Sequence, residues 1–254
     1  MKENSGLKKL RKGETVLGIM LIEITNTEII PLIKSIGFDA VFIDLEHGAF
    51  SMETTKAFAR ICHDNDIWFF ARVNNHDPKY IARIMDLGVK GIMLANCEDP
   101  EEIRKLIHTM KYPPLGSKGF GIRGVHTNYE SLSVAEKMSH LNQNSAIILQ
   151  IESKKAIDNL VELAKLQFVD VLYIGPNDLS ISLGFLGEPN HPEVQKNINK
   201  IIQVAQKNNL AIGYYSTDIE ILKFWKDKGI KFLFCGTEIS LLMETGKKII
   251  KSML

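Results

Sequence analysis

Apolar residues along this chain come in short unbroken runs, separated by longer amphipathic stretches. The runs are Val16–Leu21, Ala40–Leu45, Trp68–Val73, Gly91–Ala95, Ala146–Ile151, Val169–Ile174, Leu210–Tyr215 and Phe232–Cys235. Continuous rather than alternating hydrophobicity is how a strand reads when both its faces are covered, as in a parallel sheet. The stretches Asn26–Ile36, Met52–Asn65, Pro78–Leu87, Glu101–Met110, Lys155–Leu166, Pro192–Lys207, Asp218–Lys228 and Glu238–Met253 carry helical spacing. Ser51 and the pair Asp77-Pro78 supply helix-start chemistry, and Gly37, Gly88 and Gly229 stand where a helix needs a left-handed residue to end. Repeated βα units argue for a barrel or a doubly wound sheet, and eight runs across 254 residues favour a single (β/α)8 (TIM) barrel domain spanning residues 1–254. One segment, Tyr112 to Tyr129 (YPPLGSKGFGIRGVHTNY), is too rich in Gly and Pro for either element. It is expected to be a functional loop that helps build the site.

Composition narrows the class further. A net charge of +1 gives no bulk attraction to nucleic acid or to an anionic membrane. No apolar run approaches the roughly 20 residues that span a bilayer, and the opening MKENSGLKKLRKGE lacks the apolar stretch of a signal peptide. Cys62, Cys97 and Cys235 lie far apart without a CxxC pair, which argues against a zinc ribbon or disulfide frame. A cytoplasmic enzyme is expected.

Barrel chemistry sits where strands end at the C-terminal face. The second run closes in Asp44-Leu45-Glu46-His47-Gly48, the third in Arg72, and the fifth in Gln150-Ile151-Glu152. The sixth closes in Gly175-Pro176-Asn177-Asp178, the seventh in Tyr214-Tyr215-Ser216. Glu152 and Asp178 close neighbouring strands and offer oxygen ligands for one divalent cation, Mg²⁺, Mn²⁺ or Co²⁺, with positions left open for substrate. Such a cation polarises the ketone of a 2-oxo acid, Arg72 stabilises the enolate oxygen, and His47 moves protons as general base. Taken singly, each has a plainer reading: Arg72 pairing a barrel carboxylate, Glu152 or Asp178 capping a helix. No strand ends in lysine, so imine chemistry is disfavoured.

At these residues the chain resembles the HpcH/HpaI aldolase family of class II, pyruvate-dependent aldolases. The matching stretches are GFDAVFIDLEHG, ARVNNHDP, RIMDLGVKGIMLANCEDPEEIRKLIHTMKYPPLGSKGFG, LQIESKKAIDNL and VDVLYIGPNDLSISLGFLGEPNHPEV. The resemblance implies Glu152 and Asp178 as metal ligands, and Arg72 on the pyruvyl oxygen. It also implies His47 as catalytic histidine, with Asp86 as its carboxylate partner. It further implies substrate contacts from Gln150 and from Gly175, Pro176 and Asn177, and a homo-oligomer, a hexamer, that exchanges the last helix, Glu238–Met253, between subunits. The implied reaction cleaves a 4-hydroxy-2-oxo acid to pyruvate, or a related 2-oxo acid, and an aldehyde. The alternative joins an acetyl-CoA enolate to oxaloacetate, giving citrate for siderophore assembly. Departures from the family pattern are Lys118 for an arginine, Asn177 beside the metal position, His126-Thr127 in the loop, and Tyr214-Tyr215, expected to reshape the aldehyde side of the pocket.

Overall fold

All eight apolar runs become strands: β1 Val16–Leu21, β2 Ala40–Asp44, β3 Trp68–Val73, β4 Gly91–Leu94, β5 Ala146–Ile151, β6 Val171–Ile174, β7 Ala211–Ser216 and β8 Phe232–Thr237. In the computed structural model, which describes residues 1–254, they pair in parallel and in chain order, and β8 returns to β1 to close the barrel. The helices are α1 Ser5–Arg11, α2 Ile29–Ile36, α3 Met52–Asp64, α4 Pro78–Asp86, α5 Pro100–Met110 and α6 Val134–Asn144. After them come α7 Lys154–Asp158, α8 Leu160–Ala164, α9 Pro176–Ser182, α10 Pro192–Lys207, α11 Ile219–Asp227 and α12 Glu238–Met253.

The start and stop signals act as expected. Ser51 accepts the Thr54 N–H at 3.1 Å, Asp77 accepts that of Lys79 at 2.9 Å, and Pro78 opens α4. Gly37, Gly88 and Gly229 are left-handed, with φ of +106°, +102° and +97°. Three helices escaped the periodicity. In α6 the apolar Val134, Met138 and Leu141 stand at helical spacing, but none is fully buried, and the buried residues are Lys137 and Asn142. The others, α1 and α9, have seven residues each, too few to establish a period. The predicted Lys155–Leu166 helix is broken at Asn159, whose side-chain amide donates to the Glu98 carbonyl at 2.8 Å.

Inside the barrel the filling is aromatic. Phe42 lies 5.1 Å from Phe70 and 5.0 Å from Phe234, while Phe232 lies 4.9 Å from Trp68. Glycines make this possible. A Cβ on Gly18 would lie 2.2 Å from the Phe234 ring, and one on Gly213 would lie 2.2 Å from the Tyr173 ring. These side chains fill the barrel beneath its C-terminal end.

Two regions depart from a simple barrel. The loop 112–129 follows α5, not a strand, so it lies at the N-terminal end and does not reach its own chain's strand ends. It folds onto the last turn of α4, where Lys118 Nζ meets Asp86 Oδ1 at 2.6 Å. The last helix, α12, buries only Glu238 and leaves Leu242, Met243, Ile249, Ile250 and Met253 more than half exposed.

Candidate active site

Adjacent strands place Asp44 and Arg72 side by side at the C-terminal end of β2 and β3. The guanidinium grips the carboxylate with two bonds, Nε to Oδ1 at 3.0 Å and Nη2 to Oδ2 at 2.5 Å. This fixes the fork and leaves the remaining N–H groups of Arg72 directed away from Asp44. Glu46 Oε2 stands 3.5 Å from the same Nε. Burial alone would raise the Asp44 carboxyl; the Arg72 fork and the backbone N–H groups of Glu46 and His47 outweigh it and hold the group below its ordinary range. The plain reading of Arg72, a partner for a barrel carboxylate, is what this pairing shows.

Across the barrel mouth Glu152 is buried, 6% exposed. Its Oε1 accepts the Asn96 N–H at 2.9 Å, and its Oε2 accepts the side-chain amide of Gln150. Gly175 sits hard against it: a Cβ there would lie 2.8 Å from Glu152 Oε2. Burial pushes the Glu152 carboxyl up to about 7; the Asn96 N–H opposes this, the nearby carboxylates of Asp178 and Glu46 add to it, and Arg72 lowers it. Asp178 is in the first turn of α9, exposed beside the same opening. Pro176 is buried and Asn177 exposed in that turn.

Asp178 and Glu46 thus lie near enough to raise the Glu152 carboxyl, and Arg72 near enough to lower it. No three His, Cys, Asp or Glu side chains converge tightly enough to form a closed metal cage. Two carboxylates with uncompensated negative charge nonetheless fit a hard divalent cation that keeps several positions for water or substrate.

His47 is exposed, its Nε2 lying 3.8 Å from Glu46 Oε2. Asp86 does not meet it within the chain. It ends α4, which runs back toward the N-terminal end, and its carboxylate is taken by Lys118. Tyr215 turns inward; burial raises its phenol, Arg72 opposes this, and Glu238 adds to it. Tyr214, expected to shape the pocket with it, faces outward instead. Side chains alternate along a strand, and its ring packs 5.5 Å from Trp225 of α11. Sequence reasoning gave no role to Asp44 or Glu46, although both stand in the strand-end segment it singled out.

The chain as a whole, and its barrel, have counterparts among known proteins. The model of the HpcH/HpaI aldolase/citrate lyase family matches residues 19–245. The chain is 29% identical to the hydroxypyruvate/pyruvate aldolase of Roseobacter denitrificans, over 97% of this chain and 95% of that protein. Among solved structures it is similar to an HpcH/HpaI aldolase from Desulfitobacterium hafniense DCB-2, with a TM-score of 0.93 and 27% identity, covering 97% of this chain and 95% of that one. The citrate synthase SbnG shares the fold at a TM-score of 0.88 and 22% identity, covering 98% and 97% of the two chains.

Proposed function

Because the chain belongs to the HpcH/HpaI aldolase/citrate lyase family, we propose that it is a class II aldolase, a carbon–carbon lyase that cleaves a 4-hydroxy-2-oxo acid to pyruvate and an aldehyde. The observation that carries this reading is the buried Glu152 carboxylate, crowded by Asp178 and Glu46 and facing a pre-set Arg72. Glu152 and Asp178 are the residues to hold a divalent cation, Mg²⁺, Mn²⁺ or Co²⁺, and when bound it supplies Lewis-acid polarisation of the ketone. The rest is assigned to the chain. A base, His47 directly or through water, takes the proton of the C4 hydroxyl. The C3–C4 bond then breaks, its electrons pass toward the C2 oxygen, the aldehyde leaves, and the proton held by the base returns to C3 of the enolate, which becomes the methyl group of pyruvate. Free N–H groups of Arg72 receive the charge growing on that oxygen, held in place beforehand by Asp44. Gln150 and the turn from Gly175 to Asn177 are assigned to hold the acid, and Tyr215 to face the aldehyde.

Assembly belongs to the same reading. An uncovered apolar face on α12 fits a helix exchanged between copies in a hexamer. Asp86 lies at the far end of its own barrel, so any service to His47 comes from another copy. The three cysteines are unpaired, as a reducing cytoplasm requires. Likeness to the citrate synthase is one of fold, and no observation at the site favours acetyl-CoA.

The test is proton–deuterium exchange at the pyruvate methyl group, followed by NMR in D₂O. Exchange is expected with Mg²⁺, Mn²⁺ or Co²⁺ and lost in EDTA. Arg72→Lys, which keeps charge but loses the fork, is expected to slow it by about 10²–10³-fold. Exchange undiminished in EDTA overturns the reading. Thiol release from acetyl-CoA and oxaloacetate without pyruvate exchange replaces it with the alternative.

A further inference from the structure

The first residue of α12, Glu238, is a buried carboxylate, 6% exposed, that pairs with no cation. Its Oε1 accepts three consecutive backbone N–H groups: Ile22 at 3.0 Å, Glu23 at 2.7 Å and Ile24 at 3.0 Å. Its Oε2 takes a further contact from the Ile22 N–H at 3.2 Å. These amides belong to the segment leaving β1 at the catalytic end. Three donors on one oxygen are a strong, charge-assisted clamp on a stretch of chain that has no secondary structure of its own.

The clamped segment in turn holds the histidine loop. Ile22 O accepts the Ala49 N–H at 3.0 Å, and a Cβ on Gly48 would lie 3.1 Å from that same oxygen. From the other side Gly48 N–H donates to Asp44 O at 3.1 Å. His47 therefore leaves a backbone turn pinned at one edge by β2 and at the other by the Glu238-held segment. Its own ring is exposed, and the sole charged contact of that ring, with Glu46, is a long 3.8 Å. What fixes the ring is the backbone it stands on.

We infer that Glu238 is a positioning residue for His47, acting through residues 22–24 and 48–49. The inference rests on the aldolase reading for its catalytic consequence, but the clamp does not. A geometric role predicts a particular pattern of loss. Small misplacement of a base costs turnover, up to about 10²-fold, while binding of the 2-oxo acid through Arg72 is untouched.

The experiment uses the full-length enzyme with its metal and pyruvate as probe, in the methyl-exchange assay. Glu238→Gln keeps the size and one acceptor oxygen; it is expected to lower kcat about 10-fold with KM within about 2-fold. Glu238→Ala is expected to lower it further. In a His47→Asn background, Glu238→Gln should cost nothing more, because the base it positions is gone. Amide hydrogen exchange at Ile22, Glu23, Ile24 and Ala49 should quicken in Glu238→Gln, with the rest of the barrel unchanged. Equal kcat in wild type and Glu238→Gln, or full additivity with His47→Asn, overturns the inference. A wild type without pyruvate exchange sinks the aldolase reading instead, and the amide exchange then decides the clamp on its own.

Discussion

The two ends of this barrel distribute their carboxylates differently. At the N-terminal end most buried polar groups are answered, the Tyr112 hydroxyl and His126 Nε2 excepted. Asn4 accepts the Leu7 N–H at 3.1 Å and donates to the carbonyls of Lys90 and Asn144, both at 3.2 Å. Asp39 meets Lys9 at 2.9 Å and takes the Leu17 N–H at 3.0 Å; Asp170 meets Arg11 at 2.7 Å and takes the Ile147 N–H at 3.0 Å. At the C-terminal end Glu152, Asp178 and Glu46 crowd one another beside one guanidinium. Acids at the first end are paired with cations, whereas those at the second are gathered about a single guanidinium.

The contrast breaks first, and by the largest margin, at Glu152. Glu152→Gln should lower metal-dependent exchange by at least about 10³-fold. In EDTA the same change should stabilise the fold at alkaline pH. The folded carboxyl titrates near 7 against an ordinary 4.5, so the folded state holds its proton over that window and the unfolded state does not. Stability from this group is complete below about 4.5 and is lost as pH rises through 7, a difference of about 3 kcal/mol. Urea unfolding in EDTA from pH 5 to 8 should show the loss in wild type and not in Glu152→Gln. Equal slopes in both would mean that the rim is not strained by this carboxylate.

The opposite end supplies the converse. Asn4→Ala removes a helix cap and two buried hydrogen bonds, which should cost about 2–3 kcal/mol. That corresponds to a Tm lower by about 5–10 °C. The folded fraction should keep its kcat and KM, since Asn4 touches nothing at the strand ends. A fall in kcat greater than the fall in folded protein would show that the two ends are coupled.

How much of this was legible follows the same division. Strands announce themselves because both of their faces are covered, so Val16–Leu21 and Trp68–Val73 read at once as unbroken apolar runs. The polar residues closing those runs then point to Arg72, Glu152 and Asp178. What stayed hidden depends on side-chain pairing across strands. Asp44 looks like one more strand-end acid until the β2–β3 register sets it against Arg72. Glu238 looks like an ordinary first-turn helix acid, and its partners lie more than two hundred positions away in sequence. Helix α6 carries only a short stripe, Val134, Met138 and Leu141, beside an irregular Gly- and Pro-rich loop, although its Ser133–Glu136 capping box is there to be read. The loop 112–129 was read as functional from composition, but composition does not say at which end of the barrel a segment lies; only its place after a helix does.

The smallest expected effect sharpens the comparison most finely, because it separates neighbours in one strand. Tyr214 and Tyr215 read alike in sequence, yet β7 sends one into the helix layer against Trp225 and the other into the mouth of the barrel beside Arg72. Removing a hydroxyl that meets substrate alters discrimination by about the free energy of one hydrogen bond, roughly tenfold in kcat/KM. Tyr215→Phe should therefore change the ratio of kcat/KM between a hydroxylated and an unsubstituted aldehyde by about that factor. Tyr214→Phe should leave the ratio within about 2-fold while lowering Tm slightly, because its ring serves packing. The reverse result, selectivity moved by Tyr214 and not by Tyr215, would mean that strand alternation does not decide which residues meet the aldehyde at this rim.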